Sequence, residues 1–224
     1  MKHEAYRDRR EAGRILADRM EGLEGLSGAV VLALPRGGVP VGYEVARRLK
    51  GPLDVFLVRK LGVPGHPELA FGAIATGGVR MLNRDVVDGL RISREVVDEV
   101  TAEEAEELAR RESAYHGGRP PPEVRGKTAV LVDDGLATGA SMRAAVAALR
   151  RLGPASIVVA VPVAAPSTVE EFGRLVDRVV CPLAPEPFRA VGLWYEDFSQ
   201  TSDDEVRELL RRAEEERAGP SNPA

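Results

Sequence analysis

Val130-Leu-Val-Asp-Asp-Gly-Leu-Ala-Thr-Gly-Ala-Ser-Met142 is the stretch on which the reading of the whole chain turns. It leaves an unbroken apolar run, Thr128 to Val132, passes through two adjacent carboxylates and several small residues, and enters an alanine- and leucine-rich segment, Ala140 to Leu152, closed by Gly153-Pro154. A short apolar run without alternation suits a strand buried on both faces. Gly-Pro after an apolar-periodic segment is a helix stop. The loop between them therefore sits at the carboxyl end of a strand and the amino end of a helix, where parallel sheets bind ligands and the helix dipole favours an anion. Asp133 and Asp134 can accept hydrogen bonds from sugar hydroxyls. Gly135, Ala137, Gly139 and Ala140 let backbone N–H groups approach an anion, and Thr138 and Ser141 add hydroxyls. Together they suit a sugar phosphate. Other phosphate loops fit worse: Ala140 stands where a P-loop needs lysine, and Gly135-Leu-Ala-Thr-Gly139 does not have the Gly-x-Gly-x-x-Gly spacing.

Working outward, the same alternation recurs on both sides. Ala29 to Leu34 reads as a buried strand, Pro35-Arg-Gly-Gly38 as a turn, Val39 to Leu49 as a helix and Asp54 to Arg59 as a second buried strand. Downstream, Ile157 to Val161 is a strand, Ser167 to Val176 a helix and Arg178 to Cys181 a short strand. Alternating strands and helices predict an α/β fold, a Rossmann-like and mostly parallel sheet flanked by helices. Residues 4–21 have the period of an amphipathic helix, and 203–217 form a charged one followed by a frayed tail, 218–224. The glycine-rich piece from Lys60 to Met81 suits a small hairpin or a mobile loop. Ser93 to Arg111 is helical, with Glu106 and Glu107 four residues before Arg110 and Arg111, the pattern of a solvated, ion-paired face.

Composition narrows the function classes. With 31 basic and 35 acidic side chains the net charge is −4, which gives nucleic-acid binding no support. Cys181 is the one cysteine, so no intrachain disulfide forms; it reads as a small buried hydrophobe, and no Cys/His cluster suggests zinc. The charged N-terminus has no signal-peptide core, and no apolar stretch approaches the ~20 residues of a membrane span, so a cytoplasmic protein is expected.

Val130 to Met142 resembles the binding motif for 5-phosphoribosyl-1-pyrophosphate (PRPP) in class I phosphoribosyltransferases: apolar strand, two acids, small residues, Thr-Gly, then a hydroxyl residue. The likeness extends over about residues 25–182, and its spacing is most similar to that of uncharacterised bacterial phosphoribosyltransferase-like proteins. It implies one domain over residues 1–217, with a small hood built from chain ends and the segment 183–217. It further implies a pentosyltransferase that moves the phosphoribosyl group of PRPP to a small nitrogenous acceptor and releases pyrophosphate, with Mg²⁺ carried by the substrate near Asp133 and Asp134. By the same resemblance those two aspartates take the ribose hydroxyls. Gly135, Leu136, Ala137, Thr138, Gly139, Ala140 and Ser141 hold the 5-phosphate, and Arg36, Gly37, Gly38, Arg59 and Lys60 meet pyrophosphate. Gly37 and Gly38 are expected to permit unusual backbone angles. Phe188, Trp194 and Tyr195 are candidates for the acceptor pocket, or plain packing aromatics. The loop containing His66 and Glu68 is a candidate lid, and a homodimer is expected by analogy. Enzymes for 6-oxopurines carry an acid where this chain has Ala137, so that mechanism is disfavoured and the general base stays unassigned. A PRPP-sensing protein without turnover is the alternative reading, and a fold that has lost PRPP the third.

Overall fold

The computed structural model describes residues 5–116 and 120–218, the side chains of 67 and 68 excepted. Five parallel strands form the main sheet: β1 (Val30–Ala33), β2 (Leu53–Val55), β6 (Thr128–Val132), β7 (Ser156–Ala160) and β8 (Arg178–Val180), in the order β2-β1-β6-β7-β8. Side chains alternate across it as the two-residue period requires. Ala129 and Leu131 of β6 face the cluster covered by α5 (Ala140–Arg151) and α6 (Pro166–Leu175). Val130 and Val132 face the one covered by α1 (Arg9–Met20) and α2 (Gly38–Leu49). The two outer helices are only 12 residues each, too short to be stable alone, so their positions depend on buried stripes such as Leu16 and Met20, or Val41, Val45 and Leu49. Each such side chain contributes about 1.5–3 kcal/mol when fully buried. Asp8 caps α1 by accepting a 2.8 Å hydrogen bond from the Glu11 backbone N–H.

The expected strand from Asp54 to Arg59 is divided. Phe56 still pairs with β1, donating to the Ala33 carbonyl at 2.9 Å, but the Leu57 N–H turns away to the Thr76 hydroxyl at 2.9 Å. From there the chain builds a separate antiparallel sheet of β3 (Val58–Val63), β4 (His66–Ala75) and β5 (Val79–Leu82). The glycine-rich region is thus the hairpin alternative rather than a loop. Arg59 and Lys60 lie inside β3 and not at the end of the second parallel strand. The short α3 (Arg84–Gly89) and the long α4 (Arg94–His116) follow, and α7 (Asp203–Ala218) closes the chain against α2, α4 and β2. The tail is expected from residue 218, but Ala218 is the last residue of α7; residues 219–224, His3 and Gly117-Gly118 lie outside the described residues.

Two features of the sheet position a site. The chain winds outward from β1 to β2, then returns to the other side of β1 as β6, so the switch in strand order falls between β1 and β6. That is where an open parallel sheet leaves a crevice at its carboxyl edge. The register then sets Ala33 opposite Val132, and the Leu34 N–H donates to the Val132 carbonyl at 2.8 Å. The turn after β1 and the carboxylates after β6 therefore emerge level with each other. Above them, a hood forms where Tyr6 pairs with Tyr195, its N–H donating to the Trp194 carbonyl at 2.9 Å and its hydroxyl to the Pro162 carbonyl at 2.9 Å. Among the described residues, no helix is long and apolar enough to cross a membrane.

Candidate functional site

At the crevice lies a cavity of about 680 Å³. Its floor is Leu34 to Gly37 after β1, Phe56 to Val58 after β2, and Asp133, Asp134 and Ser141 around the β6–α5 loop. One wall is α4, with Arg110, Arg111 and Tyr115; the rest of the rim is Arg9 and the segment from Phe198 to Asp203. Arg9, Arg36, Arg110 and Arg111 thus share one concavity with Asp133, Asp134 and Asp203. Such a surface attracts phosphate groups while keeping two carboxylates for hydroxyls or a cation.

The two central carboxylates differ in their surroundings. Asp133 accepts a 2.8 Å hydrogen bond from the Asp134 N–H, and burial together with the neighbouring Asp134 charge pushes its carboxyl well above the usual carboxylate range. Burial also raises Asp134, but Arg9 opposes this through a 2.8 Å contact from its Nε. That ion pair is itself sheltered, with the two side chains 12% and 15% exposed. Arg9 is fixed further by a 2.6 Å hydrogen bond to the Ser199 carbonyl and by the Phe198 ring, whose centroid is 4.0 Å from the guanidinium carbon.

The loop after Asp134 divides into a buried and an exposed part. Leu136 is 3% exposed; its N–H is taken by Val163 and its carbonyl by Ala165. Gly135 is buried, with the side chain of Val191 filling the place a Cβ would occupy. Ala137, Thr138, Ala140 and Ser141 are exposed around the start of α5. No side chain caps that helix, and its N-cap, Gly139, holds φ of +69° with Phe172 2.6 Å from where a Cβ would sit. Both the backbone and the contact demand glycine there. First-turn N–H groups without a capping side chain are open to an anion.

Other predicted residues fall differently. Gly37 has φ of −61° and Gly38 has no positive φ, so unusual backbone angles are not why glycine stands there. Close approach is the reason: a Cβ on Gly37 would lie 2.1 Å from Asp134 Oδ2, and one on Gly38 would lie 2.7 Å from the Val132 carbonyl oxygen. Arg36 lines the cavity and comes within 3.9 Å of Asp203. Arg59 does not line it; its guanidinium pairs with Glu104 and, at 3.8 Å, with Glu107, both on α4. Lys60 is exposed elsewhere. Phe188 and Trp194 pack against the hood cluster around Tyr6 and Leu183 and are absent from the cavity wall, as is His66, which is exposed on β4. The Glu68 side chain lies outside the described residues. Cys181 is partly buried and burial pushes its thiol up to about 11, as suits an inert packing residue.

Sequence reading missed Arg9, Arg110, Arg111 and Phe198. The only signal for the α4 pair was its repeating acid–base spacing, which a solvated helix shows equally. Tyr195 has a support role: its buried hydroxyl donates to the Asp134 carbonyl at 2.5 Å. Tyr195→Phe is expected to cost about 1 kcal/mol of stability, the net worth of one buried hydrogen bond. For a chain of this size that lowers Tm by roughly 2–4 °C in a calorimetric melt; an unchanged Tm would mean the hydrogen bond does not form.

Residues 65–192 match the model of the phosphoribosyl transferase domain. A Mycobacterium tuberculosis protein named provisionally as a phosphoribosyl transferase is 50% identical over 208 residues, covering 93% of this chain but 47% of its own length. The chain therefore spans about half the length of this curated relative. The bifunctional protein PyrR of Listeria welshimeri is 34% identical over 130 residues, 58% of this chain and 68% of that protein. Among solved structures, TT1426 from Thermus thermophilus is 44% identical, with a TM-score of 0.81 over 93% of this chain and 98% of that one.

Proposed function

We propose, from the premise that the chain belongs to the phosphoribosyl transferase family, that its crevice binds PRPP and transfers the 5-phosphoribosyl group to a small nitrogenous acceptor. The observation that carries this reading is the meeting, in one cavity, of the Asp133–Asp134 pair, the uncapped start of α5 and the turn after β1. The aspartates accept from the ribose 2- and 3-hydroxyls. The exposed loop from Ala137 to Ser141 receives the 5-phosphate on backbone N–H groups and the Thr138 and Ser141 hydroxyls, with Gly135 and Leu136 shaping it from beneath. The turn from Pro35 to Gly38 receives pyrophosphate, with Arg36 as its charge. The aromatics that line the cavity are Phe56, Tyr115 and Phe198, and not Phe188 or Trp194, so the acceptor is read as meeting one of those three.

In the reaction, a nitrogen lone pair forms the new bond to the anomeric carbon as the bond to the pyrophosphate oxygen breaks, with inversion. Positive charge grows on the ribose ring and negative charge on the leaving group. The contribution of the protein is position and electrostatic complement. Asp133 and Asp134, adjacent carboxylates in the cavity, suit Mg²⁺ held mostly by substrate oxygens and water. When bound near Asp133 and Asp134, the ion neutralises phosphate charge.

Calorimetric titration with PRPP and Mg²⁺ tests the reading. Binding is expected, with Asp134→Asn weakening it far more than Glu106→Gln, a change at an exposed α4 residue outside the cavity. No heat up to about millimolar PRPP would overturn it. Pyrophosphate release, screened across nucleobases and other nitrogen acceptors, then separates a transferase from a PRPP sensor.

A further inference from the structure

We infer that α4 supplies a switchable arginine pair to the leaving-group side of the site: Glu107 holds Arg110 and Arg111 while the site is empty and yields them to pyrophosphate. This rests on the proposed PRPP reading and adds residues to it. A pyrophosphate leaving group needs several cations, yet of the three basic residues first expected there only Arg36 lines the cavity. Arg59 is committed to Glu104 and Glu107, and Lys60 lies elsewhere. The remaining guanidinium groups on that side are those of α4.

Their placement fits this role. Arg110 and Arg111 share the cavity wall with Tyr115, whose hydroxyl donates to Asp203 at 2.6 Å. Asp203 in turn lies 3.9 Å from Arg36, so the α4 wall adjoins the turn after β1. Both arginines converge on one acid: Arg110 Nε and Arg111 Nε lie 2.6 and 2.7 Å from the two oxygens of Glu107. Hydrogen bonds from Arg110 and then Arg111 hold the Glu107 carboxyl down at about 2, so it stays charged at any working pH. The arginine side chains are 69% and 48% exposed, free to turn from a single surface carboxylate to a more highly charged anion. An exposed ion pair is weak and releases its partners readily. Bidentate guanidinium–phosphate contact is the stronger arrangement.

The test compares magnesium pyrophosphate and ribose 5-phosphate as calorimetric probes of the whole chain. Arg110→Ala/Arg111→Ala is expected to lose about tenfold or more in pyrophosphate affinity, the worth of a charge-assisted contact, while ribose 5-phosphate binds as before. Glu107→Gln frees the pair and is expected to tighten pyrophosphate binding severalfold, a gain that a purely structural role for α4 would not produce. Alanine at two exposed helical positions keeps the helix, and a thermal melt checks this. Unchanged pyrophosphate affinity in the double variant, an equal loss for both probes, or weaker pyrophosphate binding in Glu107→Gln overturns the inference while leaving PRPP binding intact. If the unaltered chain binds neither probe nor PRPP, the functional reading itself fails and this inference with it.

Discussion

Asp133→Asn is expected to weaken PRPP binding about a hundredfold while raising the melting temperature. The loss follows from removing a charged acceptor for ribose hydroxyls, with one or two charge-assisted hydrogen bonds at stake. The gain follows from where the charge sits. Burial and the adjacent Asp134 push the Asp133 carboxyl well above its unfolded value, so ionising it costs the folded chain stability that the unfolded chain does not lose. Asparagine keeps the acceptor for the Asp134 N–H, a 2.8 Å contact, and removes the repulsion. Relief of about 1 kcal/mol would lift Tm by roughly 2–4 °C in a chain of this size. The pH dependence has a definite sign. A carboxyl raised in the folded state destabilises when ionised, so the advantage of the variant is full above the raised pKa. It shrinks as the pH falls below that value and vanishes only near the ordinary carboxylate range, where the unfolded chain is protonated as well. PRPP affinity of the unaltered chain should fall over the same window, at a higher pH than an ordinary carboxylate would give. Melts and titrations between neutral pH and the ordinary carboxylate range follow both. A lower Tm for the variant at neutral pH, or undiminished binding, would contradict this account. Asp134→Asn should not share the stability gain, since it strands the sheltered guanidinium of Arg9.

That contrast also shows what a sequence can and cannot convey about such a site. The loop after β6 was legible because its signals are local: an apolar run without alternation, small residues, hydroxyls at a helix start and a Gly-Pro stop lie within a few turns of chain. The parallel sheet followed from repetition of that unit. Arg9 had no local signal, since it meets Asp134 125 positions away in sequence through the packing of α1 on α2. The strand from Asp54 to Arg59 was read as one piece because nothing in its apolar run marks a break. The break comes from Thr76, whose side chain and backbone capture Leu57 from a distant strand. Removing Arg59 and Lys60 from the cavity is a direct consequence of that break. The α4 arginines illustrate a different limit. Acid–base spacing of three and four residues looks the same on a solvated face and on a cavity wall, and only the packing of α4 against β3 and α7 decides which it is.

Gly38→Ala is expected to damage both stability and binding, because it acts where the two arms of the site touch. The new Cβ would lie 2.7 Å from the Val132 carbonyl oxygen and 3.0 Å from the Asp133 Cα. Both are backbone atoms at the buried carboxyl end of β6, so neither can swing aside as a side-chain tip would. The carbonyl is also held, accepting from the Leu34 N–H at 2.8 Å. Relief therefore requires the start of α2 to move away from β6, at a cost of about 1–3 kcal/mol for overpacking, or a Tm lower by several degrees. The same movement separates the turn after β1 from the Asp133–Asp134 pair, the two groups proposed to grip opposite ends of one substrate. A misplacement of about 1 Å between such groups can cost about a hundredfold in turnover. Gly173→Ala supplies the control. That residue lies in α6 with nothing within 4 Å of its added Cβ, so alanine should stabilise the helix by up to about 1 kcal/mol and leave PRPP affinity unchanged. Melts and PRPP titrations of both variants separate a general response to glycine replacement from a local one. Equal behaviour of the two would mean that the closeness of β1 and β6 at their carboxyl ends does not set the geometry of the site.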